Sequence, residues 1–189
     1  MNELLQTLAL AYQYPTPGST KALWERLEGL PHSQAKATFE GFLRTFSELT
    51  LAEREELHTR TLDLAPLTAP NIGYAVYGED YRRGRFMAAL SREYAALEVD
   101  TAGEIPDHLI PVLHYLAVAA EPLPELLQLL EPALGQIRHT LQTLEPKNLY
   151  LKLLEATQEA LAPLAQASKS PTVLGSLVQN LPFWKGGKE

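Results

Sequence analysis

Leu4, Leu5, Leu8, Leu10, Ala11 and Tyr12 recur at the spacing of one helix face, and Tyr14-Pro15-Thr16-Pro17-Gly18 then stops the pattern. A first helix is expected to end there. Ser19 or Thr20 is placed to cap a second helix carrying Leu23, Trp24, Leu27 and Leu30, which Gly29 and Pro31 close. Ser33 caps a third through Ala37, Phe39, Phe42, Leu43 and Phe46, with Glu40, Arg44 and Glu48 on its outer face; its aromatic stripe reads as core. Thr50-Leu51-Ala52-Glu53 is a capping box, and the carboxylates that follow sit where a helix N-terminus favours negative charge.

From Asp63 to Tyr81 the pattern changes. Pro66, Pro70, Gly73 and Gly78 interrupt a stretch that Leu62, Leu64, Leu67, Ile72, Tyr74, Val76 and Tyr77 keep apolar, so a buried connector with a short helix is expected. Helical period returns over Arg83 to Leu97 through Phe86, Met87, Leu90 and Tyr94, until Asp100-Thr101-Ala102-Gly103 ends it. Ile105-Pro106 is expected to open the next helix, with Leu109, Val112, Leu113, Leu116 and Ala117 facing inward. Two further helices are expected over about Pro122 to Thr143, with a break near Gly135, and over Asn148 to Ala167.

No run alternates strictly between apolar and polar residues, so the expected fold is all-α, a single-domain helical bundle over residues 1–167. The remaining 168–189 is expected to be a mobile tail or a docking arm, with Leu177, Leu181, Phe183 and Trp184 available to a partner.

Composition narrows the function. With 46% hydrophobic and 21% charged residues in 189, one globular core is expected. The net charge of −7 lacks the broad positive field that nucleic-acid binding needs. Cysteine is absent, which excludes disulfide scaffolds, thiolate metal or cluster sites and cysteine nucleophiles among these residues. The N-terminus has no basic region before its apolar positions, and no stretch approaches the length of a membrane span, so a cytoplasmic protein is expected.

The five histidines, His32, His58, His108, His114 and His139, include no pair three or four residues apart as a helical zinc site favours. No metal or other cofactor is expected. Neither a nucleophile elbow nor a glycine-rich phosphate cradle occurs, so the expected activity is binding rather than catalysis.

The most informative stretch begins with Thr61-Leu62-Asp63-Leu64-Ala65-Pro66 and continues through Tyr77-Gly78-Glu79-Asp80, Arg83-Gly84, Leu90 and Tyr94. It ends with Ile105-Pro106-Asp107-His108-Leu109 and Val112-Leu113-His114-Tyr115-Leu116-Ala117. In order and spacing it resembles the delta-subunit chaperones of nitrate reductase, the NarJ-type branch of the family that includes the TorD and DmsD maturation proteins. The resemblance implies a helical chaperone, monomeric or dimeric, that binds the N-terminal region of a molybdoenzyme catalytic subunit while molybdenum cofactor and iron–sulfur cluster are inserted. It places the client-peptide site around Pro106, Asp107 and His108. Tyr74, Tyr77, Leu109 and Leu113 then supply apolar walls, with Arg83 and His114 alongside. The family commonly has a glutamate near the position of His114.

From the residues alone, other readings stay open. Asp107 can simply complement a helix dipole, worth about 0.3–1 kcal/mol, and His108 can be a satisfied core or surface residue. Tyr77 and Tyr115 can be core aromatics, the reading favoured for Tyr115. Alternatives for the whole chain are a chaperone for a different reductase, a weak GTP-binding or GTP-hydrolysing helical protein, and a helical scaffold without a peptide site.

Overall fold

The computed structural model describes residues 2–64 and 67–169, the side chains of 167–169 excepted. The helices are α1 (Glu3–Ala11), α2 (Ser19–Glu28), α3 (Gln34–Glu48), α4 (Leu51–His58), α5 (Ile72–Tyr77) and α6 (Tyr81–Ala96), then α7 (Leu109–Val118), α8 (Pro124–Leu144) and α9 (Tyr150–Lys169). A π-helical turn, Thr59–Asp63, continues α4. Among the described residues there is no strand, only an isolated antiparallel bridge between Asn71 and His108. The chain is an all-α domain. No helix among the described residues is long and apolar enough to cross a membrane.

Local chemistry sets several helix starts. Ser33 accepts the Lys36 amide at 3.1 Å, and Thr50 and Glu53 satisfy each other's backbone amides in a full capping box. At α2 the expectation of a Ser19 or Thr20 cap fails. Gly18 holds the cap position at φ 84°, a left-handed conformation that glycine adopts without a Cβ penalty, and Ser19 Oγ instead accepts the Thr16 amide.

The core is layered around α9 and α7. Phe39, Phe42 and Phe46 of α3 are buried, and the rings of Phe42 and Phe46 lie 5.8 and 6.0 Å from that of Tyr150 at the start of α9. The other side of α9 packs on α8, whose buried stripe is Leu126, Leu129, Leu130, Ala133, Leu134, Ile137 and Leu141. Tyr12, at the end of α1, hydrogen-bonds Thr157 of α9 at 3.0 Å. α7 packs on α1 and is apolar almost all round, with eight of its ten residues buried, so it runs as a central helix.

Four expectations need correcting. α8 does not break near Gly135 and passes through Pro132, because its continuous buried stripe outweighs one lost backbone bond. The helix expected to open at Pro106 begins at Leu109, capped by His108, since an antiparallel bridge and a tyrosine hydroxyl hold the preceding residues in an extended turn. Pro111 falls in the first turn of α7, where its missing N–H has no helical acceptor to lose. The connector after Asp63 is only partly buried: Ile72 is at 0% exposure, whereas Leu64 and Leu67 are 73% and 63% exposed. At the other end, α9 continues to Lys169, past the expected boundary at 167. The expectation of a mobile or docking tail over 168–189 otherwise lies outside the described residues.

The aromatic layer between α3 and α9 gives the first prediction. Phe42→Ala removes a fully buried ring flanked by Phe39, Phe46 and Tyr150 and is expected to cost about 3–5 kcal/mol in urea denaturation. A loss below about 1 kcal/mol would mean this layer is not packed as described.

Candidate functional site

Arg83 projects from α6 toward Asp107, in the turn before α7. Its Nε donates to Asp107 Oδ2 at 2.8 Å and its Nη2 to Oδ1 at 3.1 Å, a two-pronged ion pair. The Tyr74 amide of α5 also donates to Oδ2, at 3.2 Å. Asp107 is at 0% exposure, while the Arg83 side chain retains 19%. A single carboxylate thus joins α5, α6 and the start of α7. Backbone bonds reinforce it: Ile72 N–H donates to the Asp107 carbonyl and Leu109 N–H to the Pro70 carbonyl, each at 2.8 Å. The Tyr94 hydroxyl donates to the Pro106 carbonyl at 2.8 Å.

Gly73 is required by this approach. A Cβ there would meet Asp107 Oδ2 at 2.7 Å and Phe86 Cδ1 at 3.0 Å, closer than atoms pack. Next along the chain, His108 caps α7, its Nδ1 accepting the Ile110 amide at 3.2 Å, which assigns the proton to Nε2. Burial lowers His108 to about 4; the Asp107 charge pulls the other way, and His58 adds a smaller push downward. The ring is neutral at neutral pH.

The residues singled out from sequence divide into groups. Tyr74, Arg83, Pro106, Asp107 and His108 do meet, and the Arg83 guanidinium stacks over the Tyr74 ring at 5.1 Å. Asp107 itself presents no free oxygen to a ligand in this arrangement; it positions its neighbours. Tyr77 is half-buried beside them, donating to Glu125 of α8 at 2.9 Å with Arg82 over its ring. Burial and that carboxylate raise the Tyr77 pKa. Leu109 and Leu113 are at 0% exposure, so as expected apolar walls they are misplaced: they form the core beneath the turn. His114 belongs to another cleft, lined with Leu10, Leu97 and Val118, where its Nδ1 lies 2.9 Å from the Asp100 carbonyl. Tyr115 is fully buried, its hydroxyl donating to Glu93 and accepting the Leu123 amide.

A second group was not anticipated as a site. In the π-turn, the Leu64 amide reaches back five residues to the Thr59 carbonyl at 2.9 Å, and the turn is anchored by Asn148 Nδ2 donating to Thr61 Oγ1 at 2.9 Å. This aims Asp63 at His58, whose Nδ1 lies 3.5 Å from Asp63 Oδ2, while His58 Nε2 lies 3.1 Å from the Tyr12 carbonyl. The Tyr14 ring packs edge-on against His58 at 5.3 Å. Glu104 stands in the loop that leads to Asp107; burial first, and the Asp63 charge second, raise its pKa, while His58 lowers it. Among the described residues neither carboxylate has a lysine or arginine partner. Around them stand exposed apolar side chains: Tyr14 at 50%, Leu64 at 73% and Ile105 at 45%.

No family model matches the chain, and no curated protein matches it.

Among the described residues no group of three or more His, Asp or Glu side chains is placed to hold a metal ion. What the arrangement offers is recognition. Two carboxylates without a lysine or arginine partner, one of them 3.5 Å from the His58 ring, with exposed apolar side chains alongside, suit a ligand that brings a positive charge on an apolar body.

Two predictions follow from the clamp. Asp107→Asn leaves the Arg83 charge without its counter-ion and is expected to cost about 3–5 kcal/mol in thermal or urea unfolding. The double replacement Arg83→Met with Asp107→Leu should recover part of that loss, and equal loss in both would contradict a paired clamp. For pH, a histidine held below its unfolded value contributes stability that is complete above about 6.5 and is lost as pH falls toward about 4. His108→Asn keeps a capping side chain and is expected to flatten the stability profile in that window, measured by urea titration at stepped pH.

Proposed function

We propose that this protein is a maturation chaperone that binds the N-terminal region of a molybdoenzyme catalytic subunit, with respiratory nitrate reductase as the first client to test. It acts by holding the client open while molybdenum cofactor and iron–sulfur cluster are inserted, and it performs no chemistry itself. Its setting is the cytoplasm, where such an enzyme is loaded.

The observation that carries this reading is the exposed apolar group Tyr14, Leu64 and Ile105 beside Asp63 and Glu104, two carboxylates with no lysine or arginine partner among the described residues. A client segment folded as an amphipathic helix would lay its apolar face on these side chains and bring a lysine or arginine between the carboxylates. Such a cation would meet carboxylates that no lysine or arginine engages in the free protein, so binding is favoured at both its apolar and its charged contacts. The second support is the sequence resemblance, whose Arg83-Gly84 and Pro106-Asp107-His108 residues lie at the clamp that fixes the Glu104 loop.

The clamp and the surface then have separate roles. Arg83, Asp107, Tyr94 and Gly73 hold the turn; Asp63, Glu104 and the exposed apolar residues meet the client. Dissociation after loading needs no covalent step, because contacts of this kind are individually weak: an exposed charge pair is worth about 0–1 kcal/mol.

Calorimetric titration with a synthetic peptide covering the first residues of a nitrate reductase catalytic subunit tests the reading. Saturable binding is expected. Asp63→Asn with Glu104→Gln, or Leu64→Ser with Ile105→Ser, should weaken it by about tenfold while leaving the fold intact, a loss of about 1.4 kcal/mol. No binding of any molybdoenzyme N-terminal peptide, or binding indifferent to both pairs of changes, would contradict it.

A further inference from the structure

A cleft of about 380 Å³ opens between α6 and the start of α8, lined by Tyr77, Arg82, Arg85, Ala89, Arg92 and Glu125. Three arginines in one cleft stand out in a chain of net charge −7. Arg82 is engaged with Asp80 at 3.1 Å and lies over the Tyr77 ring at 5.1 Å. Arg85 and Arg92 are exposed and form no ion pair with any described residue, although the chain holds 23 acidic residues. The one carboxylate in the lining, Glu125, accepts the Tyr77 hydroxyl at 2.9 Å and makes no ion pair with the arginines.

The arrangement has a direction. Arg82, Arg85 and Arg92 lie on one face of α6, and ten residues of helix at 1.5 Å each spread them over about 15 Å. A single small anion would satisfy one guanidinium; a line of guanidiniums fits a chain with carboxylates at intervals, each able to take a two-pronged pair. The small residues on the same helix, Ala88 and Ala89 between the arginines, let such a chain approach the backbone closely.

We propose that this cleft is a docking site for a carboxylate-rich segment of a partner protein, separate from the surface around Asp63 and Glu104. The two surfaces carry opposite charge, one recognising cations through carboxylates and the other carboxylates through arginines. A partner, or two partners, with oppositely charged segments would therefore bind in a fixed orientation. The inference does not depend on the identity of the client proposed above, since it rests on the arginines of α6 and on Tyr77 and Glu125 beside them.

Fluorescence anisotropy with a labelled peptide of alternating glutamate and alanine tests it on the full chain. A saturable rise at low salt is expected, lost as salt is raised and absent for the glutamine–alanine counterpart. Arg85→Glu with Arg92→Glu should weaken binding by about tenfold or more, and Lys21→Glu, a reversal on exposed α2, should leave it unchanged. Circular dichroism checks that both variants fold, as exposed helical positions should allow. Absence of binding, equal binding by the double variant, or a rise seen only with an RNA oligonucleotide or anionic vesicles in place of the peptide would overturn the proposal. Failure here leaves the calorimetric result at Asp63 and Glu104 untouched, so the two readings can fall separately.

Discussion

The buried carboxylate of Asp107 is the constraint around which α5, α6 and the start of α7 are arranged. A charge at 0% exposure is tolerable only when paired and hydrogen-bonded, and three donors from two helices converge on it: Arg83 Nε, Arg83 Nη2 and the Tyr74 amide. Satisfying it fixes where α6 lies against α5, excludes any side chain at Gly73, and pins the turn that precedes α7. An apolar pair could fill the same volume at similar stability; what the ion pair adds is one geometry, since guanidinium and carboxylate meet in few orientations.

That geometry reaches the surface through the loop. Pro106 is held by the Tyr94 hydroxyl and His108 by the Ile110 amide, so Glu104 and Ile105, two to three residues upstream of Asp107, emerge at a set position beside Asp63. On the other side the π-turn sets Asp63 and Leu64 by reaching five residues back instead of four. Each device uses backbone geometry outside the regular helix, and together they set the surface on which Asp63 and Glu104 stand without a lysine or arginine partner among the described residues. That gives a cationic ligand a reason to prefer this spot on an acidic protein.

Much of the scaffold is readable from the residues. The Thr50–Glu53 box, the Ser33 cap and the apolar stripe of α3 declare their helices locally, because cap chemistry and period act over a few residues. The site is less readable, for physical reasons that differ residue by residue. α7 is apolar on nearly every face, so periodicity could not tell that Leu109 and Leu113 point into the core. Pro106 looks like a helix start until the bridge from Asn71 and the Tyr94 hydroxyl, both distant in sequence, are known to hold it extended. A π-turn leaves no compositional mark, which hid the approach of Asp63 to His58. Gly73 could be noticed as a breaker, but its need to admit Asp107 is a tertiary fact.

The proposed client segment binds the surface that carries Asp63 and Glu104, held in place by the Arg83–Asp107 pair. Hydrogen–deuterium exchange of the full chain, with and without the client N-terminal peptide, reads this directly. Slowed exchange confined to the π-turn at 59–64, the loop at 104–108 and the end of α1 is the expected result. Protection on other helices with none at these segments, or no change at saturating peptide, would contradict it.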